Sequence, residues 1–341
     1  MKFVLYSQWN QLPDSANTLF EKAEQESLFF SRVWLESITA HTLAEHQSML
    51  LACVVDEESV LAILPMLQSP RDDLGALSNH FTTLFSLLIS DHHPNNHIVT
   101  CLAEGLSQLE VNSIRLEPID ADDGNITRLC QSMESCGFKS HPYFRFYNWS
   151  HPVNAQSFDE YMAERPANIR NMIRRKQRKL DREHTYDIRL HQDVDIDCAL
   201  LEYQMVYKAS WKANEFFADF TPSLVKKLSE LGWLRLAILY IEDNPVAAQI
   251  WFVVHRKANI YRLAYDQRWK SYSPGSILTQ FLMRYVIDTD KVIEIDFLTG
   301  NERYKQDWMT VQKERLGMRF VKKPVQKNIF RRIIQSLKNK D

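Results

Sequence analysis

The sequence predicts an α/β protein of mixed α+β order, built as two similar lobes, each a mostly antiparallel sheet flanked by helices. Three observations carry that expectation. Each half contains apolar, β-branched runs joined by short acidic turns, the pattern of hairpins. Each half then passes through the same order of helix, strand, helix and strand. The length, 341 residues, exceeds the size at which one hydrophobic core usually keeps growing, which favours two domains.

In the first half, Met49–Val55 and Val60–Gln68 flank Asp56-Glu57-Glu58-Ser59 and read as a hairpin. A helix near Ile98–Leu109 leads to a strand at Ser113–Pro118, and a helix at Asn125–Cys136 leads to one at Phe138–Tyr147. The aromatic stretch PYFRFYNW then gives way to His151-Pro152-Val153-Asn154, so the lobes divide near Ser150–Ser157. Residues 1–152 are expected to form one lobe and 153–324 the other. Without a low-complexity linker the two should meet in a tight interface, a favoured place for a ligand cleft.

The second lobe starts with a basic segment, Arg165–Arg182. Ile169, Met172, Ile173, Lys176 and Leu180 recur at helical spacing, which places Arg170, Arg174, Arg175, Arg178 and Lys179 on the other faces. Such a face is either simply solvated or an anion-attracting wall, with Arg170 and Arg174, one turn apart, the first pair to hold a phosphate. Arg235–Ile241, Val246–His255 and Asn259–Asp266 follow as a meander, the first two joined by Glu242-Asp243-Asn244-Pro245. A helix from Gly275 to about Asp288, a strand at Val292–Asp296, a helix near Glu302–Glu314 and a strand around Met318–Val321 complete the order. In the tail, Ile329, Phe330, Ile333, Ile334 and Leu337 lie beside Lys327, Arg331, Arg332 and Lys338. That basic amphipathic stripe over 325–341 fits either a terminal helix packed on the protein or peripheral contact with a membrane surface.

Composition sets limits. Hydrophobic residues at 45% and aromatics at 11% are ample for buried cores, and a formal net charge of −2 gives no global pull toward DNA or an anionic membrane. The five cysteines show no CxxC spacing, so neither a disulfide framework nor a thiolate zinc site is expected. His92, His93 and His97 lack a carboxylate or cysteine at a zinc-ligand spacing, and no metal is expected. No GxGxxG or GxxxxGK[ST] occurs among the eight glycines. The N-terminus lacks a signal-peptide run and no stretch is apolar enough to span a bilayer, which predicts a cytoplasmic protein.

Two motifs near the end of the chain carry chemistry. KSYSPGSIL, Lys270–Leu278, opens a helix in which the backbone N–H groups of Gly275, Ser276 and Ile277 should lack intrahelical partners and face outward with the positive end of the helix dipole. This is an anion site, and a diphosphate is its usual occupant. IDFLTGNERYKQDW, Ile295–Trp308, supplies a strand and a turn rich in ionisable groups.

With NIRNMIRRKQRKL upstream and SWK, Ser210–Lys212, between, the two motifs resemble the FemAB-like branch of the GNAT acyltransferase superfamily, in particular the acetyltransferases associated with cellulose and exopolysaccharide biosynthesis. The resemblance covers roughly residues 155 to 315, with a weaker echo in SLFFSRVWLESI at 27–38. It implies tandem GNAT-like lobes and transfer of an acyl group from acyl-CoA, acetyl-CoA first, to an amine or hydroxyl of a small-molecule or glycan acceptor. Fem-type relatives use an aminoacyl-tRNA instead. A catalytically silent binding protein of the same fold is a further alternative. The second lobe would hold the donor through Tyr265, Tyr272, Ser273, Gly275, Ser276 and Ile277, with the oxyanion donor on the strand around Arg262–Tyr265. The first lobe, lacking a Ser-Pro-Gly turn, would serve as scaffold and acceptor wall.

Direct attack on a thioester needs a base for the attacking group and stabilisation of the oxyanion. Asp266, at the end of its strand, is the first candidate base and Glu302 the second; each could equally cap a turn or begin a helix. Asp296, Tyr304 and Lys305 belong to the second motif, where Lys305 could hold an anionic acceptor or the oxyanion. Trp211 and Lys212 are expected to line the acceptor pocket, and Trp308 to be a packing anchor.

Overall fold

The computed structural model describes residues 1–69, 73–91, 95–192, 196–212 and 216–323. The proposed terminal helix at 325–341, together with His92 and His93, lies outside the described residues.

The chain runs β1 (Lys2–Tyr6), α1 (Ala16–Glu26), α2 (Arg32–His41), β2 (Ser48–Asp56), β3 (Ser59–Ser69), β4 (Asp73–Ala76), β5 (Leu88–Ile89), α3 (Asn95–Gln108), β6 (Ser113–Asp120), α4 (Gly124–Ser135) and β7 (Phe138–Pro152). After α5 (Phe158–Ala163) and α6 (Ala167–Glu183) come β8 (Tyr186–His191), α7 (Asp197–Lys208), α8 (Phe220–Glu230), β9 (Leu234–Ile241), β10 (Asn244–Val254) and β11 (Lys257–Tyr265). Then follow α9 (Pro274–Asp288), β12 (Glu294–Thr299), α10 (Arg303–Trp308) and β13 (Val311–Lys322). Apart from the short β5, the series from β1 to β7 and from β8 to β13 repeat one order of elements.

The hairpins form where local chemistry asks for them. Glu57 takes a positive φ between β2 and β3; Glu242 and Asp243 do so between β9 and β10, and His255 and Arg256 between β10 and β11. Paired positive φ values of this kind match the twist of the flanking strands.

The thirteen strands of the described residues join one sheet in the order β1-β2-β3-β4-β6-β13-β7-β12-β11-β10-β9-β8, with β5 on β3. The last strand of each half therefore lies on the other's side. β13 pairs antiparallel with both β6 and β7, and β7 pairs with β12. This corrects the expectation of a helix across Glu302–Glu314: helix α10 stops at Trp308 and the chain is strand from Val311. Gln312–Arg315 are good helix formers, but a place between two long partner strands outweighs propensity, which is a weak prior. For the same reason β7 runs five residues beyond the expected end at Tyr147, to Pro152.

One face of the sheet carries α1, α2, α7 and α8 over an apolar cluster drawn from both halves. Trp34 sits at its centre, edge-on to Phe220 at 5.6 Å and Tyr261 at 6.1 Å, while Phe81 stacks on Phe220 at 5.2 Å. Burying such large side chains contributes roughly 1.5–3 kcal/mol each. The other face is covered by α3 and α4 over the first half and by α5, α6 and α9 over the second. No helix among the described residues is long and apolar enough to cross a membrane.

Candidate active site

Strands β11 and β12 are parallel neighbours for only three residues, Lys257–Asn259 with Glu294–Asp296. Beyond these β11 continues to Tyr265 and β12 to Thr299 without pairing to each other, so the sheet splits open in its interior. At this point the chain leaves β11, makes a 3-10 turn at Gln267–Tyr272 and enters α9.

Helix α9 starts from Ser273 in the left-handed region with Pro274 at its first position, where the missing proline N–H costs nothing. The Ser273 carbonyl accepts from Ser276 N at 3.0 Å and Ile277 N at 3.2 Å. Those two amides are therefore engaged, contrary to expectation, and Gly275 N–H is the first-turn donor with no partner among the described residues. Ile277 is buried in the core, so its side chain is structural. A Cβ on Gly275 would sit 3.3 Å from Cδ1 of Tyr265, so glycine lets that ring lie against the helix start. Fully buried Gln249 fixes this end of the helix: Nε2 donates to the Gly275 carbonyl at 2.9 Å and to Thr279 Oγ1 at 2.8 Å, and Oε1 accepts from Trp251 Nε1. A lone Gln inside the apolar run Val246–Val254 was the signal that sequence reading passed over.

Asp266 does not have the character of a base. It caps the 3-10 turn through Arg268 N at 2.9 Å, and both its oxygens accept from the Arg268 guanidinium, the shortest contact being 2.5 Å. Arg268 holds its carboxyl below the ordinary value, which favours the ionised form and weakens it as a proton acceptor. Of the two roles open to it in the sequence, the capping one describes its contacts.

Lys305 departs from expectation in the same direction. Its ammonium is buried and donates to the carbonyls of Phe297 at 2.8 Å, Leu298 at 3.4 Å and Thr299, with Glu302 Oε2 3.6 Å away. The three carbonyls belong to a turn in which Leu298 and Gly300 have positive φ. Lys305 thus pins the end of β12, and its hydrogen-bonding capacity is spent on backbone rather than held for an anion. Burial pushes its pKa down. Glu302 takes the N-cap position of α10 in extended conformation, and its side chain leans over Gly300, where a Cβ would lie 2.2 Å from its Oε2.

Around this turn lies a cavity of ≈ 350 Å³ whose walls include His80, Trp211, Lys212, Arg262, Glu302 and Tyr304, with Lys305 at its edge. The Trp211 ring is 4.7 Å from that of Tyr265. Tyr304 is 41% exposed, with its ring 6.2 Å from that of Phe297. Trp308 is buried, and its carbonyl accepts from Tyr161 Oη at 2.6 Å and Arg165 Nη1 at 3.0 Å, as befits an anchor.

A second cavity, of ≈ 550 Å³, draws its walls from both halves, among them Phe29, Asp120, Lys257, Glu294, Asp296 and Arg315. The two cavities follow one another along β11 and β12: Asn259 and Asp296 face one, Tyr261 and Phe297 the other, and Thr83 lines both. Asp296 accepts from Leu298 N at 2.6 Å and Asn148 Nδ2 at 2.9 Å. Burial outweighs those bonds and the nearby Arg315, and pushes its pKa up. Arg315 is itself buried and ion-paired to Asp120 at 2.5 Å. Asn148 and Arg315 escaped the sequence reading because one sits in an aromatic strand and the other in a run that looks helical.

Of the basic pair, Arg174 lines a surface groove on α6 whereas Arg170 is half-buried and does not. Tyr272 turns toward α6, its hydroxyl donating to Glu183 Oε2 at 2.8 Å. Among the described residues no group of three or more His, Cys, Asp or Glu is placed to hold a metal ion.

Comparison with known proteins fits this geometry. Residues 167–306 match the acetyltransferase (GNAT) domain family. No curated protein matches the chain in sequence. Among solved structures, FemX is similar over 99% of this chain and 100% of its own at a TM-score of 0.65 and 10% identity. A tandem GNAT protein from the clavulanic acid biosynthesis pathway matches over 93% of this chain and 97% of its own, TM-score 0.53, 8% identical. L-PGS from Bacillus licheniformis matches over 90% and 96%, TM-score 0.53, 11% identical. At such identities these likenesses speak for the fold alone. The split between β11 and β12, with Gly275 at the following helix start, thus lies inside the segment that matches the acetyltransferase (GNAT) domain family, residues 167–306, within a chain whose fold is similar along its length to FemX and to a tandem GNAT protein.

Proposed function

We propose that the protein transfers an acyl group, acetyl first, from acyl-CoA to an amine or hydroxyl of an acceptor seated between the two halves. The observation that carries this reading is the parting of β11 and β12 above the open Gly275 amide. A diphosphate at the start of α9 would let the pantetheine arm lie along the exposed edge of β11 and bring the thioester to the smaller cavity. Residues 153–324 would hold the donor, and residues 1–152 would supply one wall of the larger cavity. An acceptor there, such as a cell-envelope or polysaccharide precursor, would reach the thioester past Thr83.

The acceptor nitrogen or oxygen attacks the thioester carbonyl while its proton passes to a carboxylate. The carbonyl oxygen takes up negative charge against a β11 amide between Arg262 and Tyr265, and collapse releases coenzyme A thiolate, which takes a proton. Asp296 suits the base role better than Asp266, because a raised carboxyl pKa brings proton affinity closer to neutral pH. Glu302 stands second, at the donor side. Lys305 acts as a positioning residue that fixes the turn between them.

A Fem-type reaction with an aminoacyl-tRNA donor is the second reading, favoured by the full-length fold likeness to FemX. Calorimetric titration with acetyl-CoA separates the two. Micromolar binding that disappears in Gly275→Glu supports the acyl-CoA reading, and absence of binding to the wild-type protein sinks it.

A further inference from the structure

Helix α6 packs beside the loop that leads into α9. Lys176 Nζ donates to the Ser271 carbonyl at 2.5 Å, and Lys179 Nζ lies 4.2 Å from the centre of the Tyr272 ring. These are the residues immediately before Ser273, so α6 touches the mouth of the diphosphate site. From there a groove of ≈ 540 Å³ runs along the helix, lined by Asn171, Arg174, Arg175, Arg178, Lys179 and Arg182. Not one acidic side chain contributes to that lining.

The charges of this groove are only partly balanced among the described residues. Lys179 and Arg182 share Glu183, at 3.7 and 2.6 Å. Arg174, Arg175 and Arg178 have no ion-pair or hydrogen-bond partner among the described residues. Arg174 and Arg178 are four apart, as are Arg175 and Lys179 and again Arg178 and Arg182, and like charges at that spacing destabilise a helix. Guanidinium groups in such an array match a phosphate dianion, which can accept two parallel hydrogen bonds from one of them.

We propose that this groove seats the 3′-phosphate of the acyl-CoA donor, an inference that rests on the acyl-CoA reading of the site. In coenzyme A the 3′-phosphate sits on the ribose that also carries the diphosphate. A diphosphate at Gly275 therefore leaves the second phosphate within one sugar's reach of the Tyr272–Lys179 contact. Arg175 and Arg178 complete the seat, and the groove makes the site selective for 3′-phosphorylated donors over plain adenosine diphosphate derivatives.

The test is calorimetric titration of the full chain with coenzyme A and with 3′-dephospho-coenzyme A, for the wild type and for Arg175→Gln/Arg178→Gln. The wild type is expected to bind coenzyme A at least tenfold more tightly, with the difference shrinking as salt is raised. In the double variant coenzyme A should fall to the level of the dephospho form, whose own affinity stays unchanged. Equal wild-type affinity for the two ligands, or equal weakening of both in the variant, overturns the 3′-phosphate seat and leaves the donor reading intact. Failure of the wild type to bind either ligand overturns both.

Discussion

The two halves place the same elements at the same point and do different things with them. In the first, β4 and β6 are parallel over Asp73–Gly75 and Ser113–Arg115; in the second, β11 and β12 are parallel over Lys257–Asn259 and Glu294–Asp296. Each pair is three residues long and each then parts. In the first half the chain turns back onto β6, with Ser78 Oγ donating to the Glu117 carbonyl at 2.8 Å and Phe85 N to that of Pro118 at 2.6 Å, and a cavity of ≈ 660 Å³ lies beside that contact against β4 and β6. In the second half the chain leaves β11 through the 3-10 turn and Ser273-Pro274, and the gap stays open as the smaller cavity, lined by residues 260–263 and 297–299, while the larger cavity lies over the paired residues. Architecture is shared, and what differs is whether the connection hydrogen-bonds back to the parted strand. Function has to be argued from the opening, since the fold is common to both.

The sharpest way to break this comparison is to close the open gap. Gly275→Glu puts bulk against Tyr265 and negative charge at the proposed diphosphate seat, so on the acyl-CoA reading affinity for coenzyme A should fall at least about 100-fold. Circular dichroism melting should move by only a few degrees. Asp296→Asn comes next, with a loss of roughly 10²–10⁴ in kcat/KM if Asp296 is the base. In the wild type kcat/KM should rise with pH through the raised carboxyl pKa, and the variant should lose that limb. The same shift has a stability signature: the folded state holds the Asp296 proton more tightly than the unfolded one, so wild-type stability declines as pH climbs from about 4 through the raised value. The Asn variant should be flat over that window.

Smaller effects sharpen the distinction between groups that react and groups that position. Lys305→Met strips three carbonyls of their buried partner, and denaturant unfolding should show a loss of about 2–3 kcal/mol with coenzyme A affinity changed less than kcat. Asp266→Asn should cost about 1 kcal/mol of capping and lower activity less than tenfold. Because the Asp266 pKa is depressed, its contribution is present above about pH 4 and is lost as pH falls through the lowered value. A hundredfold activity loss there would restore it as the base. Gly75→Ala is the control in the first half. Its Cβ meets only the Arg115 carbonyl at 3.8 Å, and coenzyme A affinity should not move.

What the sequence disclosed follows the range of the forces involved. Hairpin turns and the Pro274–Gly275 helix start are set by residues close in the chain, and they were legible; the strand expected at Val292–Asp296 exists but runs from Glu294 to Thr299. Strand β13 was not, because Val311–Lys322 takes its conformation from β6 and β7, far away in sequence. The roles of Asp266 and Lys305 stayed open for a related reason. A carboxylate or an ammonium looks the same in a sequence whether its partner is a substrate or, as here, Arg268 and three carbonyls. Asn148 and Arg315 reach the Asp296 site from β7 and β13, so only the assembled sheet brings them there.

The crossed placement of β7 and β13 has a mechanical consequence. Neither half can swing on a hinge without tearing ladders at the middle of the sheet, so substrates must be admitted by local rearrangement of loops. Severed between Pro152 and Val153 and produced as two pieces, the protein should behave as an interlocked pair, each fragment missing its neighbour's strand and regaining order only when the two are mixed.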